Sequence, residues 1–394
     1  MLFSRMTLRL LRLALWCGIA PGLLYSAGMA AETASTSPLR VYFGTYTGAK
    51  SKGIYMAQFD PATGRLGPAE LAVRTTGPSF LALHPGGQFI YAVGETSNVG
   101  GRRVGAVRAF RIDAATGRLK LLNQQVSGGE GPCHLSVDKA GKWLLVANYG
   151  SGSIAALPIT ADGNLGPPIM VIQHEGGSVN RERQSGPHAH FITTDPANRF
   201  ALTCDLGLDK VLVYRLEPAM GVLLPNEPPF ATVQPGLGPR HIAFSADGHF
   251  AYLISEMGAA LTVFAYDARS GSLKELQTLS TLPAGFSGAK SGAEVQVHPS
   301  GRFVYASNRG HDSIAVFAVD AETGKLSWVD CQPSGGKTPR HFLIDRSGQW
   351  LLAENQDSDN VVVFRLDQAT GRLQSAVQTV DVPCPVCAVF GPQR

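Results

Sequence analysis

The chain has 394 residues, 44% of them hydrophobic and 16% charged, with 45 glycines and a formal net charge of +4. That is enough apolar material for a large core, and the charge falls to +1 once Arg5, Arg9 and Arg12 are set aside, which leaves no basic run to hold nucleic acid. Five cysteines remain beyond residue 30, and an odd number makes no tidy disulfide framework.

The three arginines open a leader. An apolar run from Leu13 to Leu24 follows them, and the small residues Gly28-Met29-Ala30 close it. Residues 1–30 read as a secretory signal peptide, and the apolar run is too short to span a bilayer. The expected location is therefore periplasmic or secreted, with no membrane attachment after cleavage. Residues 31–38 read as a short linker. Residues 39–394 read as one domain.

Within that domain a phrase recurs seven times: FDPATGRL (59–66), IDAATGRL (112–119), ITADGNLG (159–166), LEPAMGVL (216–223), YDARSGSL (266–273), VDAETGKL (319–326) and LDQATGRL (366–373). Each copy is a turn between runs of β-branched and aromatic residues, about 50 residues from the next, which is the signature of a propeller blade. The fold class is all-β: a seven-bladed β-propeller of four-stranded antiparallel blades. In each blade a first strand follows a Pro-containing turn, as in PRHIAFSA (239–246), and a second follows a Gly turn, as in HFAYLISE (249–256). The third runs into the phrase and the fourth leaves it. The domain opens on a second strand, LRVYFGTY (39–46), and ends on an extra first strand, CPVCAVF (384–390). The two are expected to pair in one blade and close the ring. Segments 96–104 and 173–185 are polar, Gly-rich loops over one face.

Function lies where the seven copies differ. The residues that end the second strands are Tyr46, Glu95, Tyr149, Leu206, Glu256, Arg309 and Gln356. The residues after the first-strand proline are Ser79, Cys133, His188, Arg240, Arg340 and Val386, the sixth blade having no such proline, and the next position adds His134, His241 and His341. His188 and His190 share a face of extended chain. Equivalent positions lie on one ring around the axis, so histidines, arginines and carboxylates gather at one mouth. Arginine can hold a carboxylate bidentately or stabilise an oxyanion, and histidine can deprotonate water. Glu95, His134, Tyr149, His241, Arg340, His341 and Gln356 are the candidate substrate-binding residues. His84 and His298 sit in HPGG and HPSG and read as turn residues. Cys384-Pro-Val-Cys387 has redox spacing, but in a strand the two thiols face opposite ways. No metal and no cofactor are expected.

These residues resemble the seven-bladed lactonase family, which includes propeller-type 6-phosphogluconolactonase and carboxymuconate cyclase. The resemblance covers about 41 to 390 and rests on GTYTGAKSKGIY (44–55), GPCHLSVDKAGKWLLVANYGSGSIA (131–155), GPHAHF (186–191), GPRHIAFSADGHFAY (238–252), HPSGRFVYASNRGHDSIAVFAVD (298–320) and GGKTPRHFLID (335–345). It implies a catalytic set of Arg240, Glu256, Arg309 and a histidine of GPHAH, His188 or His190. SEMGAA (255–260) departs from the family's more polar stretch. The implied activity is lactone hydrolysis by a carboxylic ester hydrolase of carbohydrate metabolism, on a small-molecule lactone, with a monomer as the expected state. An exported enzyme would rarely meet a phosphorylated sugar, so an unphosphorylated lactone is expected. Muconate cycloisomerisation and a non-catalytic propeller binding a ligand or protein are the alternatives, because both can use the same residue types.

Overall fold

The second strands alternate weakly because both of their faces are covered: Phe89–Gly94, Phe200–Asp205 and Trp350–Asn355 are buried at every position. Fourth strands such as Leu373–Asp381 are largely exposed. A sheet that is dry inside and wet at its outer edge is a propeller blade. The computed structural model describes residues 38–392. The leader and the linker through residue 37 lie outside the described residues.

The described chain forms seven antiparallel sheets, six of them four-stranded in simple sequence order. Blade 1 combines the two ends of the domain: Pro385–Phe390 is its inner strand, followed by Leu39–Thr45, Gly53–Asp60 and two short outer pieces, Arg65–Leu66 and Glu70–Arg74. Val41 pairs with Phe390 and Phe43 with Ala388, so no inner edge is left open. The seven inner strands touch one another in a closed cycle around the axis. Apolar clusters fill the spaces between adjacent blades; one joins Phe303 and Tyr305 of blade 6 to Phe342 and Leu351 of blade 7.

The repeated phrase is explained by packing between blades. Its glycine has a left-handed φ in all seven copies, from 66° at Gly221 to 87° at Gly163. Its aspartate caps the turn: the Thr116 amide donates to Asp113 Oδ1 at 2.7 Å, and the Thr370 amide donates to Asp367 Oδ1 at 2.8 Å. A Cβ on Gly221 would overlap the Trp143 indole of the preceding blade, and the same contact recurs between Gly64 and Trp350 and between Gly324 and Phe250. At Gly117 the neighbour is Arg40, which bonds the Ala114 and Ala115 carbonyls in place of the aromatic contact. Gly221→Ala should therefore combine left-handed strain with overpacking and cost about 3 kcal/mol. A fall in the thermal midpoint with unchanged kcat checks this.

His84 and His298 tie blades together at their far ends. Each donates from Nε2 to a turn carbonyl of the next blade, Gly141 at 3.0 Å and Gly348 at 2.8 Å. All five described cysteines are free thiols, Cys384 and Cys387 included.

Candidate active site

A bulge in the inner strands aims the site residues. Pro239 pairs with Ser255 and His241 with Ile254, so Arg240 is skipped by the ladder. Arg340 is skipped in the same way in blade 7, and Cys133 in blade 3. Such a bulge turns one side chain out of the regular alternation, here toward the axis. In blade 4 Ala189 pairs with Asp205 and Phe191 with Cys204, so the skipped residue is His190. The position after the proline therefore does not align His188 with Arg240. The segment Pro187-His188-Ala189-His190 carries extra residues before its bulge, and His190 takes the ring position.

Glu256 is the hub of the ring. It follows the second strand of blade 5, and its side chain is 11% exposed. Arg240 Nε donates to its Oε2 at 3.2 Å, Arg309 Nη2 reaches the same oxygen at 2.8 Å, and Arg183 Nη2 donates to Oε1 at 2.7 Å. His190 Nε2 stands 4.0 Å from Oε2. Burial pushes the Glu256 carboxyl up, but Arg309, Arg240 and His190 together hold it well below the usual range, so it is ionised. Burial, followed by repulsion from Arg309 and Arg340, brings Arg240 down to about 9, which leaves it charged at neutral pH. Burial and then the Arg240 charge hold His190 well below an ordinary imidazole, so it is neutral, and its buried Nδ1 has no hydrogen-bond partner among the described residues.

Beside this hub lies a narrow pocket lined by Tyr46, Glu95, His190, Arg240 and Arg340, with Phe80, His241 and His341 in its floor. Arg340 differs from the other arginines of the ring. Its guanidinium stands 5.3 Å over the Tyr46 ring and makes no hydrogen bond or ion pair among the described residues. Tyr46, Glu95 and Glu256 outweigh the burial that would lower it, and it stays fully charged. Glu95 accepts from the Ser79 hydroxyl and from Tyr46 Oη at 3.4 Å.

Other candidates stand outside the cavity. His188 stacks on Tyr149 with ring centroids 4.5 Å apart, and its Nδ1–H donates to the Tyr149 carbonyl at 2.9 Å. His134 is 3% exposed and lies between Phe80 and Phe191, at centroid distances of 4.2 and 4.0 Å. Gln356 turns onto Asp357 and lines a separate outer pocket with Tyr46 and Lys50. Leu206 is buried.

Two residues of the site escape comparison of the blades. Arg183 comes from the 173–185 loop and bridges Glu256 to Tyr149 Oη, the latter at 3.2 Å. Its loop turns back on itself through Gln184, whose amide donates to the Asn180 carbonyl at 2.7 Å. Glu294 occupies in blade 6 the place that His241 and His341 hold in blades 5 and 7, within the break of register between Gly292 and Val295.

The neutral state of His190 has a kinetic consequence if it is the base that acts on water. The acid limb of kcat should then fall below the ordinary imidazole value of about 6.5. An inflection at that ordinary value in a kcat–pH profile would point to another group.

Comparison with known proteins gives one consistent result. The family model described as "Lactonase, 7-bladed beta-propeller" matches residues 40–390. A 6-phosphogluconolactonase of Bacillus subtilis is 37% identical over 289 residues, which are 73% of this chain and 80% of that protein. The solved structure of a periplasmic gluconolactonase of Pseudomonas aeruginosa superposes with a TM-score of 0.85 at 35% identity, covering 90% of this chain and 99% of that one. A putative 6-phosphogluconolactonase of Bacteroides fragilis gives the same TM-score at 36% identity, covering 91% and 99%.

Proposed function

Since the chain belongs to the lactonase family of seven-bladed β-propellers, we propose that it is an exported enzyme that hydrolyses an unphosphorylated sugar-type lactone, with the ring around Glu256 as its active site. The observation that carries the reading is Arg340: a cavity cation with no protein hydrogen bond or ion pair among the described residues, beside a neutral imidazole and an ionised carboxylate. A guanidinium that no protein acceptor engages keeps its N–H donors for a ligand oxygen that becomes negative during reaction.

In this reading the lactone carbonyl oxygen lies against Arg340. His190 removes a proton from water as the water attacks the carbonyl carbon, and Glu256 stabilises the resulting imidazolium across 4.0 Å. Collapse of the tetrahedral intermediate breaks the bond to the ring oxygen. The imidazolium returns its proton to that oxygen, and the open-chain hydroxy acid loses its carboxyl proton to solvent and leaves as a carboxylate. Arg240 and Arg309 are already engaged with Glu256. Their role is to keep that carboxylate ionised and in place, and the substrate's charge falls to Arg340.

Export rests on the three-arginine leader and its Gly28-Met29-Ala30 end. A phosphorylated sugar is a cytoplasmic metabolite, so export leaves little use for a phosphate clamp. The expected mature N-terminus, read by sequencing protein from a periplasmic fraction, is near Ala31. The expected kcat/KM for gluconolactone equals or exceeds that for its 6-phosphate. An intact leader in cytoplasmic protein, or a phosphate preference beyond about a hundredfold, roughly 2.7 kcal/mol, would overturn the substrate reading.

A further inference from the structure

In and behind the pocket floor lies a chain of four buried ionisable side chains that the proposed hydrolysis does not use. Arg240 Nη1 stands 3.3 Å from His241 Nε2. His241 Nδ1 is 2.9 Å from Glu294 Oε2. The same oxygen is 3.6 Å from His341 Nε2, and His341 Nδ1 is 2.7 Å from Glu354 Oε2. His241, Glu294, His341 and Glu354 are all buried. Two histidines and two carboxylates at the centre of a propeller, where apolar residues would fill the space at less cost, call for a reason.

The direction of each hydrogen bond follows from chemistry. Arginine only donates, so His241 Nε2 must accept and cannot carry a proton. The imidazole proton then sits on Nδ1 and is donated to Glu294 Oε2. Glu294 is itself fixed, because its Oε1 accepts from the Val295 amide at 3.1 Å and its own amide donates to Ser307 Oγ at 2.9 Å. On the other side Arg240 donates to the Ala293 carbonyl at 2.6 Å and to Glu256 at 3.2 Å. One line therefore runs from Glu294 through the His241 tautomer to Arg240 and on to the hub carboxylate.

We propose that Glu294 is a positioning residue for the reaction at Glu256: it locks His241 in the tautomer that accepts from Arg240, and so sets where Arg240 holds Glu256. Without Glu294 the imidazole proton can move to Nε2, where it faces an Arg240 N–H, donor against donor. Arg240 must then turn, and the carboxylate it shares with Arg309 turns with it. His341 and Glu354 continue the line on the far side, 2.7 Å apart.

The test is a double-mutant cycle on kcat, which rests on the lactonase reading, together with a measurement that does not. Glu294→Ala and His241→Ala should each lower kcat by about tenfold, the low end for removal of an outer supporting partner, with KM changed less than about twofold. Because Glu294 acts through His241, the double variant should be no slower than the worse single one. Losses that multiply, or a Glu294→Ala enzyme with normal kcat, would overturn the proposal. A role in packing alone would lower the thermal midpoint and leave kcat unchanged. If either buried variant fails to fold, ¹⁵N shifts of the His241 ring in the unaltered protein decide, with Nδ1 protonated and Nε2 bare as the expected result. A proton on Nε2 would overturn the proposal whatever the kinetics. Absence of turnover on any lactone, with the expected tautomer present, would count against the hydrolase reading and leave the line from Glu294 to Arg240 standing.

Discussion

Glu256→Gln should lower kcat/KM for the accepted lactone by about a thousandfold, roughly 4 kcal/mol. Glu256 is met by N–H donors from three arginines and faces His190. An amide of the same shape has one accepting oxygen. With that oxygen toward Arg240 and Arg309, the amide N–H₂ points at Arg183, donor against donor. Flipped, it points at the two buried arginines instead. Either way the negative charge that stabilises an imidazolium at His190 is gone, and the buried cations lose their partner, a change that by itself costs about 3–5 kcal/mol of stability. The pH dependence separates the two effects. The carboxyl of Glu256 is lowered on folding, so its contribution to stability is present above the unfolded carboxylate value of about 4.3 and is lost as pH falls through the folded value. The gap in thermal midpoint between the two proteins should therefore be widest near neutrality and narrow only in acid, while the loss in kcat persists across the neutral range. Normal turnover by Glu256→Gln would remove Glu256 from the reaction.

The parts of this molecule that were legible in the sequence are those that repeat. The phrase around Gly64, Gly117 and their counterparts marks the blades because each copy meets the same demand, a left-handed turn against the neighbouring blade. Glu256 and Arg309 stand out because seven equivalent strand ends can be compared and these two, with Glu95, carry charge. Comparison fails where a blade departs from its siblings. His190, and not His188, shares the ring position with Arg240 because the bulge in blade 4 falls two residues later than the proline suggests, and a bulge is set by pairing with the second strand. Glu294 is hidden because blade 6 has no proline to mark the start of its first strand. Arg183 has no equivalent in any other blade, since it enters from a loop, and only the folded chain brings it over Glu256. His134 matches the ring by type and spacing, yet it sits one position past the bulge and faces Phe80 and Phe191 below the cavity.

Arg340→Ala should cost about a hundredfold to a thousandfold in kcat, roughly 3–4 kcal/mol, with a smaller rise in KM. The split follows from what the residue meets. A neutral lactone carbonyl draws little from a guanidinium in the ground state, whereas the oxyanion that forms on attack draws a full charge interaction in a site screened from water. Arg240 and Arg309 cannot take over, because both are spent on Glu256. Stability should change less than for a broken ion pair. The half-buried Arg340 guanidinium makes no hydrogen bond or ion pair among the described residues, but Tyr46, Glu95 and Glu256 favour its charge over the cost of burial, so the thermal midpoint should hold or fall slightly. Arg340→Lys keeps the charge but loses the planar fork and the stacking on Tyr46, and should recover only part of kcat. The product supplies a further check, since an open-chain hydroxy acid is a carboxylate and should bind the unaltered enzyme through Arg340. Weaker product inhibition in Arg340→Ala, alongside the fall in kcat, is the expected pattern. An unchanged inhibition constant together with normal kcat would mean that the substrate's charge is met elsewhere, with Arg183 at the rim the next residue to replace.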